Sequence, residues 1–372
     1  MIRHALCLLS LTTAMHALPV FIGTNTGGIS GSRGIYQADF DPLTGKLTKP
    51  ELAAEYRNPG FLALHPTKPV LLAIGEPAKP FVDGTGSVAA FSISMDHHLT
   101  LLGEVSSGGK GTCHLAVSPD GRTVAVANYG DGRIATVRLD ENGLPVKTVS
   151  VISNTGKGPN VSRQNCPHAH GVYFNKAATR LFVPDLGLDR VLVYQFDAAT
   201  SLLGAALPSL TMAPGAGPRH MAFTVDERVA YVINELNNTL SVAAYDNGGF
   251  EKSASISTLP DGYTGANTTA EVEVSPDQRF VYASNRGHDS IAVFRRDEKS
   301  GSLTFVRRAP CGGKTPRHFK ISPCGRWLLC AHMDSNTLSV LPRNPSTGEL
   351  SAPSTTVPAP SPICILFYPS GK

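Results

Sequence analysis

One short line of residues returns seven times along this 372-residue chain, and that period restricts the fold more than composition does. The copies are GFLALHPTKP, CHLAVSPDGR, AHGVYFNKAATR, RHMAFTVDER, AEVEVSPDQR, RHFKISPCGR and ICILFYPSGK. Aligned at Leu62, His114, His170, His220, Glu271, His318 and Cys364, they are spaced by 46 to 56 residues. Each copy alternates apolar and polar residues and ends in a tight turn, which predicts strand, turn, strand. A second strand follows each turn (PVLLAIGE, TVAVANYG, FVYASNRG and equivalents), then a third (GSVAAFSIS, DSIAVFRRD) and a more polar fourth (GSLTFVRR). The FNKAATR turn is expected to carry one residue more than its PDGR counterparts. The last copy has no second strand before Lys372, but PVFIGTNTG at Pro19–Gly27 has the missing shape.

Four antiparallel strands repeated seven times predict an all-β fold, a seven-bladed β-propeller forming one domain over residues 19–372. Pairing of the N-terminal strand with the C-terminal strands would close the ring and leave no long open sheet edge. The single tryptophan, Trp327, argues against a propeller with a Trp-Asp signature in each blade.

The 33 basic and 29 acidic residues leave a formal charge of +4, and no basic run is longer than Arg295-Arg296 or Arg307-Arg308. Nothing there would neutralise a row of phosphates, so nucleic acid is not an expected partner. Residues 1–18 carry Arg3, the apolar run ALCLLSL and small residues after it, the order of a secretory signal. That run is too short to span a bilayer, so no membrane association is expected, and the protein is expected in the periplasm or outside the cell, with the cytoplasm as the alternative. Six cysteines remain after Cys7, with no CxxC and no Cys/His pair at zinc spacing, and no metal or cofactor is expected. Fifteen disulfide pairings are open, and buried free thiols fit the residues as well. GTGSVA at Gly84–Ala89 matches a dinucleotide fingerprint only on paper, because a strand follows it where a helix is needed.

Equivalent positions of successive blades converge on the propeller axis, and two registers are rich in ionisable groups. The start of the first strand carries His114, His170, Arg219-His220, Glu271 and Arg317-His318. The end of the second carries Glu76, Asn128-Tyr129, Asp185, Asn234-Glu235 and Asn285-Arg286-Gly287-His288. Burying such groups together is expensive without a ligand or mutual pairing, which makes the hub the expected site. Asp120, Gly121 and Asp277 read as turn chemistry, and Asp185 and Asp189 as loop braces.

The runs PHAHGVYF, VPDLGLDRVLVY, GAGPRHMAF, YVINELNNTLSV, AEVEVSPDQRFVYASNRGHDSIAVF and TPRHFKISPCGRWLL resemble the lactonase family of seven-bladed propellers. That family includes bacterial 6-phosphogluconolactonases and fungal 3-carboxy-cis,cis-muconate lactonizing enzymes. The resemblance implies a small-molecule lactone substrate and places the family's catalytic groups at His170, Arg219, Glu235 and Arg286. Around them His168, His220, His288, Arg317 and His318 are expected to bind substrate. In such a site His170 suits general acid–base work, with Glu235 sharing or orienting it. The arginines offer a fork for a carboxylate, a phosphate or an oxyanion. A muconate-type cycloisomerase and a non-catalytic exported binding propeller are compatible with the same residues.

Overall fold

The computed structural model describes residues 17–246, 248–251 and 254–369. All regular structure among them is β-strand, arranged as seven antiparallel sheets around a common axis. The expected leader lies outside the described residues except for Ala17 and Leu18. The first blade begins one residue before the expected boundary, because Leu18 already pairs with Phe40.

The ring closes as the sequence predicts. Strand Leu18–Thr24 sits between Pro362–Phe367 and Gly34–Phe40, with Val20 opposite Phe367 and Ile22 opposite Ile365. The other blades span residues 62–106, 112–152, 173–211, 218–257, 268–310 and 316–358. Alternation along the closing strand joins it to both neighbours. Val20 and Ile22 pack on Leu329, Ala331 and Val340 of the last blade, whereas Phe21 faces Leu71, Ala73 and Phe91 of the second. A period of two with both faces apolar is what a blade buried between two blades requires.

Two blades depart locally from the repeat, and one expected departure is absent. In the fourth blade the innermost strand pairs regularly only over Tyr173–Phe174. Pro184 in the strand beside it has no N–H to offer the ladder, and the Val172 N–H goes to Nδ1 of His114 in the preceding blade at 3.3 Å, as that of Ile365 goes to Nδ1 of His318. The outer strand of the fifth blade is split into Gly249–Phe250 and Ala254–Ser257. The FNKAATR turn has no extra residue: Asn175 N bonds Arg180 O just as Ser118 N bonds Thr123 O, so the turns are equally long. Ala178 takes the left-handed backbone there (φ 50°) that Gly121 takes in the SPDG turn (φ 73°).

Trp327 marks the seam between last and first blades. Its Nε1 donates to Pro42 O at 3.0 Å, and its ring lies 2.4 Å from where a Cβ on Gly45 would stand. Gly45 also has φ +73°, a conformation that costs an L-residue about 1–2 kcal/mol. Gly45→Ala should therefore destabilise the chain by at least about 1 kcal/mol. Urea unfolding followed by the fluorescence of Trp327 measures this, and an unchanged midpoint would show that the seam does not need the contact.

Candidate active site

The inner strands reach the axis with a repeated irregularity. The pairing of strand Thr112–Val117 slips between Thr112 and His114, that of Pro218–Phe223 between Pro218 and His220, and that of Pro316–Ile321 between Pro316 and His318. Each slip is a β-bulge, and a bulge re-aims a side chain that strict alternation would turn away. Cys113, Arg219 and Arg317 occupy the bulged positions, so Arg219 with His220, and Arg317 with His318, face the hub as consecutive residues.

Glu235 organises the upper part of the hub. It follows directly on strand Val229–Asn234 and is 3% exposed. Its Oε1 accepts from Arg163 Nη2 at 2.5 Å. Its Oε2 lies 2.9 Å from Arg286 Nη2, 3.2 Å from Arg219 Nε and 3.8 Å from His170 Nε2. Both hub guanidinium groups are also anchored to backbone, Arg219 to Ala270 O (2.6 Å) and Arg286 to Thr269 O (2.7 Å). Burial alone would raise the Glu235 pKa, but the guanidinium groups of Arg286, Arg219 and Arg163 outweigh it and hold the carboxyl well below its usual range.

His170 is 5% exposed, and burial followed by the charge on Arg219 keeps its pKa well below that of a free imidazole. The ring is therefore neutral, and its buried Nδ1 has no hydrogen-bond partner among the described residues. Arg317 is the other unfinished group. No hydrogen bond or ion pair engages its guanidinium among the described residues, while burial and the charges of Arg219 and Arg286 pull it down to about 9. One carboxylate thus faces four guanidinium groups, an arrangement that favours an incoming anion or a developing oxyanion.

A cavity of about 440 Å³, within the roughly 300–1,000 Å³ of small-molecule sites, is lined by Tyr129, Arg163, His170, Glu235, Arg286 and Arg317 among others. Cys113, His170 and Arg317 also line a smaller hollow of about 150 Å³ nearer the axis. Its wall includes His220, His318 and Phe61. Phe61 occupies the axis, with ring centroids of His114, His318 and His220 at 4.1, 5.6 and 5.9 Å.

Of the nine residues expected from the sequence, seven line these two connected spaces and two do not. His168 stacks on Tyr129 (4.5 Å between ring centroids) and bonds Tyr129 O through Nδ1 at 2.7 Å. His288 bonds Ser290 Oγ at 2.7 Å and packs on Tyr263. Both histidines brace loops, and neither wall includes them. Asp185 and Asp189 are braces as expected, taking the N–H groups of His168, Leu188, Gly215 and Gly217. Tyr129 lines the cavity from the register where the sequence places it, although no role was assigned to it, whereas Arg163 and Phe61 were missed. The long segment before PHAH was the only sign of Arg163, and no strand register reaches it.

Fold and site together define a propeller with a polar, cation-rich small-molecule site at its hub. The chain belongs to the family described as Lactonase, 7-bladed beta-propeller, which it matches over residues 19–367. The 6-phosphogluconolactonase of Bacillus subtilis is 36% identical over 351 residues, 93% of this chain and 97% of that protein. A putative 6-phosphogluconolactonase from Bacteroides fragilis superposes with a TM-score of 0.88 at 30% identity, covering 97% of this chain and all of the other. A periplasmic gluconolactonase of Pseudomonas aeruginosa superposes with a TM-score of 0.87 at 31% identity, over 94% and 99% of the two chains.

The hub histidines make stability depend on pH. Burial is the leading cause that holds His114, His170 and His220 well below their usual pKa, and His318 at about 4. Between about pH 6.5 and these lower values the unfolded chain binds protons that the folded chain refuses, so stability falls as pH drops. The urea midpoint should accordingly decrease from pH 7 to pH 5. A midpoint that stays constant or rises would mean that the imidazoles are charged in the fold.

Proposed function

We propose that the chain hydrolyses a sugar lactone at the hub, with His170, Glu235, Arg219 and Arg286 as the working groups. The observation that carries the reading is the pairing of a neutral, incompletely bonded imidazole with guanidinium groups held by one ionised carboxylate in a single cavity. Membership of the lactonase family and the likeness to 6-phosphogluconolactonases and a gluconolactonase support it.

In this mechanism the lactone carbonyl oxygen lies against Arg286 and Arg219. The neutral His170 takes a proton from a water as its oxygen attacks the carbonyl carbon, and the negative charge that grows on the carbonyl oxygen meets the guanidinium groups. Glu235, at 3.8 Å, stabilises the imidazolium so formed. Collapse of the tetrahedral intermediate breaks the bond to the ring oxygen, which takes the proton back from His170 and leaves as the hydroxyl of an open-chain acid. General acid–base help contributes about 10²- to 10⁴-fold and one oxyanion donor about 10²- to 10³-fold, enough for an activated ester. Arg317 and His220 face the same space and bind the sugar, whereas His168 and His288 hold loops. No metal takes part at the hub.

The signal-like residues 1–18 support a location outside the cytoplasm, where the substrate would be an unphosphorylated lactone. The periplasmic Pseudomonas relative supports that location. N-terminal sequencing of the protein from its native host checks it, since an intact Met1 on cytoplasmic material would return the phosphorylated substrate to favour.

Hydrolysis of gluconolactone and of its 6-phosphate, followed by pH-stat, tests the activity. A folded chain that turns over neither would overturn the reading in favour of a binding propeller. His170→Ala and Arg286→Ala should each lower kcat/KM at least about tenfold with unfolding midpoints near wild type. Wild-type rates in both variants would remove these residues from the mechanism.

A further inference from the structure

A second cluster of ligating groups lies away from the hub, between the sixth and seventh blades. Cys311 follows the outer strand Leu303–Pro310, and Cys330 and His332 stand two residues apart on strand Trp327–His332, on one face. All three are 0% exposed, and one ligand atom from each lies within 4.8 Å of the others. No spacing rule finds this set in the sequence, where Cys311 is 19 residues from Cys330. The fold brings it together, and the expectation of no Cys/His site holds only along the chain.

The hydrogen bonds around the cluster fix which histidine nitrogen faces the thiols. Ser339 Oγ has one proton, and it goes to Cys311 O at 2.7 Å. Towards His332 Nε2, at 2.8 Å, the same hydroxyl therefore accepts, so Nε2 carries the ring proton. That leaves Nδ1 with a bare lone pair directed at Cys330 Sγ, 3.9 Å away. Two donors on one metal, with Zn–S near 2.3 Å and Zn–N near 2.0 Å, stand about 3.5–3.7 Å apart. Ligating histidines are oriented by an acceptor on the distal N–H, the part that the Ser339 hydroxyl takes here. The carbonyl oxygens of Asp289 and Gly313 lie 3.0 and 3.3 Å from Cys311 Sγ, within reach as a fourth ligand.

We propose that Cys311, Cys330 and His332 form a binding site for a thiophilic d¹⁰ cation. Zn(II) is the ion whose charge the two thiolates cancel, which leaves the buried site neutral. Each thiol loses its proton to solvent as the metal binds, so one divalent ion releases two protons and affinity rises with pH. The Gly312-Gly313 step separates the cluster from solvent. Gly312 is exposed, and the Gly313 backbone lies directly against the His332 ring. The bound ion would tie the seventh blade to the turn that follows Arg286, because the Cys311 N–H and Sγ both contact Asp289 O.

The test is metal binding to the full, reduced chain under argon, with Zn(II) and Cu(I) in separate titrations against a competing chelator. One tight equivalent of either ion is expected, lost in Cys311→Ala/Cys330→Ala and weakened about 10- to 100-fold in Ser339→Ala. If the double variant does not fold, the wild-type chain decides alone. Co(II) should produce thiolate-to-cobalt charge-transfer bands that Zn(II) abolishes. Uptake of neither ion, uptake unchanged in the folded double variant, or absence of the cobalt bands overturns the proposal. So does a Cys311–Cys330 disulfide whose reduction restores no metal binding.

Discussion

Closure of the ring is the constraint on which everything else rests. No blade can bury both its faces alone, and the hub exists only because seven inner strands are forced around one axis. The strand Leu18–Thr24 completes a sheet whose innermost member comes from the other end of the chain. Its two faces insert into different inter-blade cores, one with Leu329 and Val340, the other with Leu71 and Phe91. Closure is thus an apolar contact on both sides as well as a hydrogen-bonded ladder, and it removes the edges at which an open array would aggregate.

With the ring closed, the problem at its centre is electrostatic. Four guanidinium groups share a space with one carboxylate, and the structure manages them by burying Glu235 among Arg163, Arg219 and Arg286 and by tying two of the arginines to backbone carbonyls. The imidazoles nearby stay neutral and serve partly as mortar. His114 and His318 accept backbone N–H groups of the next blade through Nδ1, and His220 binds Glu271 at 2.9 Å. The same fields that hold the blades together leave His170 as an uncharged base and Arg317 as an uncommitted cation. Rigidity and chemistry at the hub have one origin, because groups held this firmly need no reorganisation when charge develops on a substrate.

The sevenfold repeat, the turn residues and the split closing blade were legible along the chain because they rest on local rules: alternation, turn propensity and equal spacing. Most of the hub was legible too, since equivalent registers meet on the axis whatever the details, and Glu235 stands in one of those registers. His168 and His288 were misread for the opposite reason. They sit near the same registers, but turn geometry points them into Tyr129 and Tyr263.

Sequence by itself determined the architecture, the family and the chemical identity of the groups at the hub, because each follows from period and residue type. Tertiary structure decided how those groups are used. The bulges at Cys113, Arg219 and Arg317, the approach of Arg163 from an irregular segment and the meeting of Cys311 with His332 all depend on distances between residues far apart in the chain. Protonation states do as well, since burial and neighbouring charge, which set them, exist only once the ring has closed.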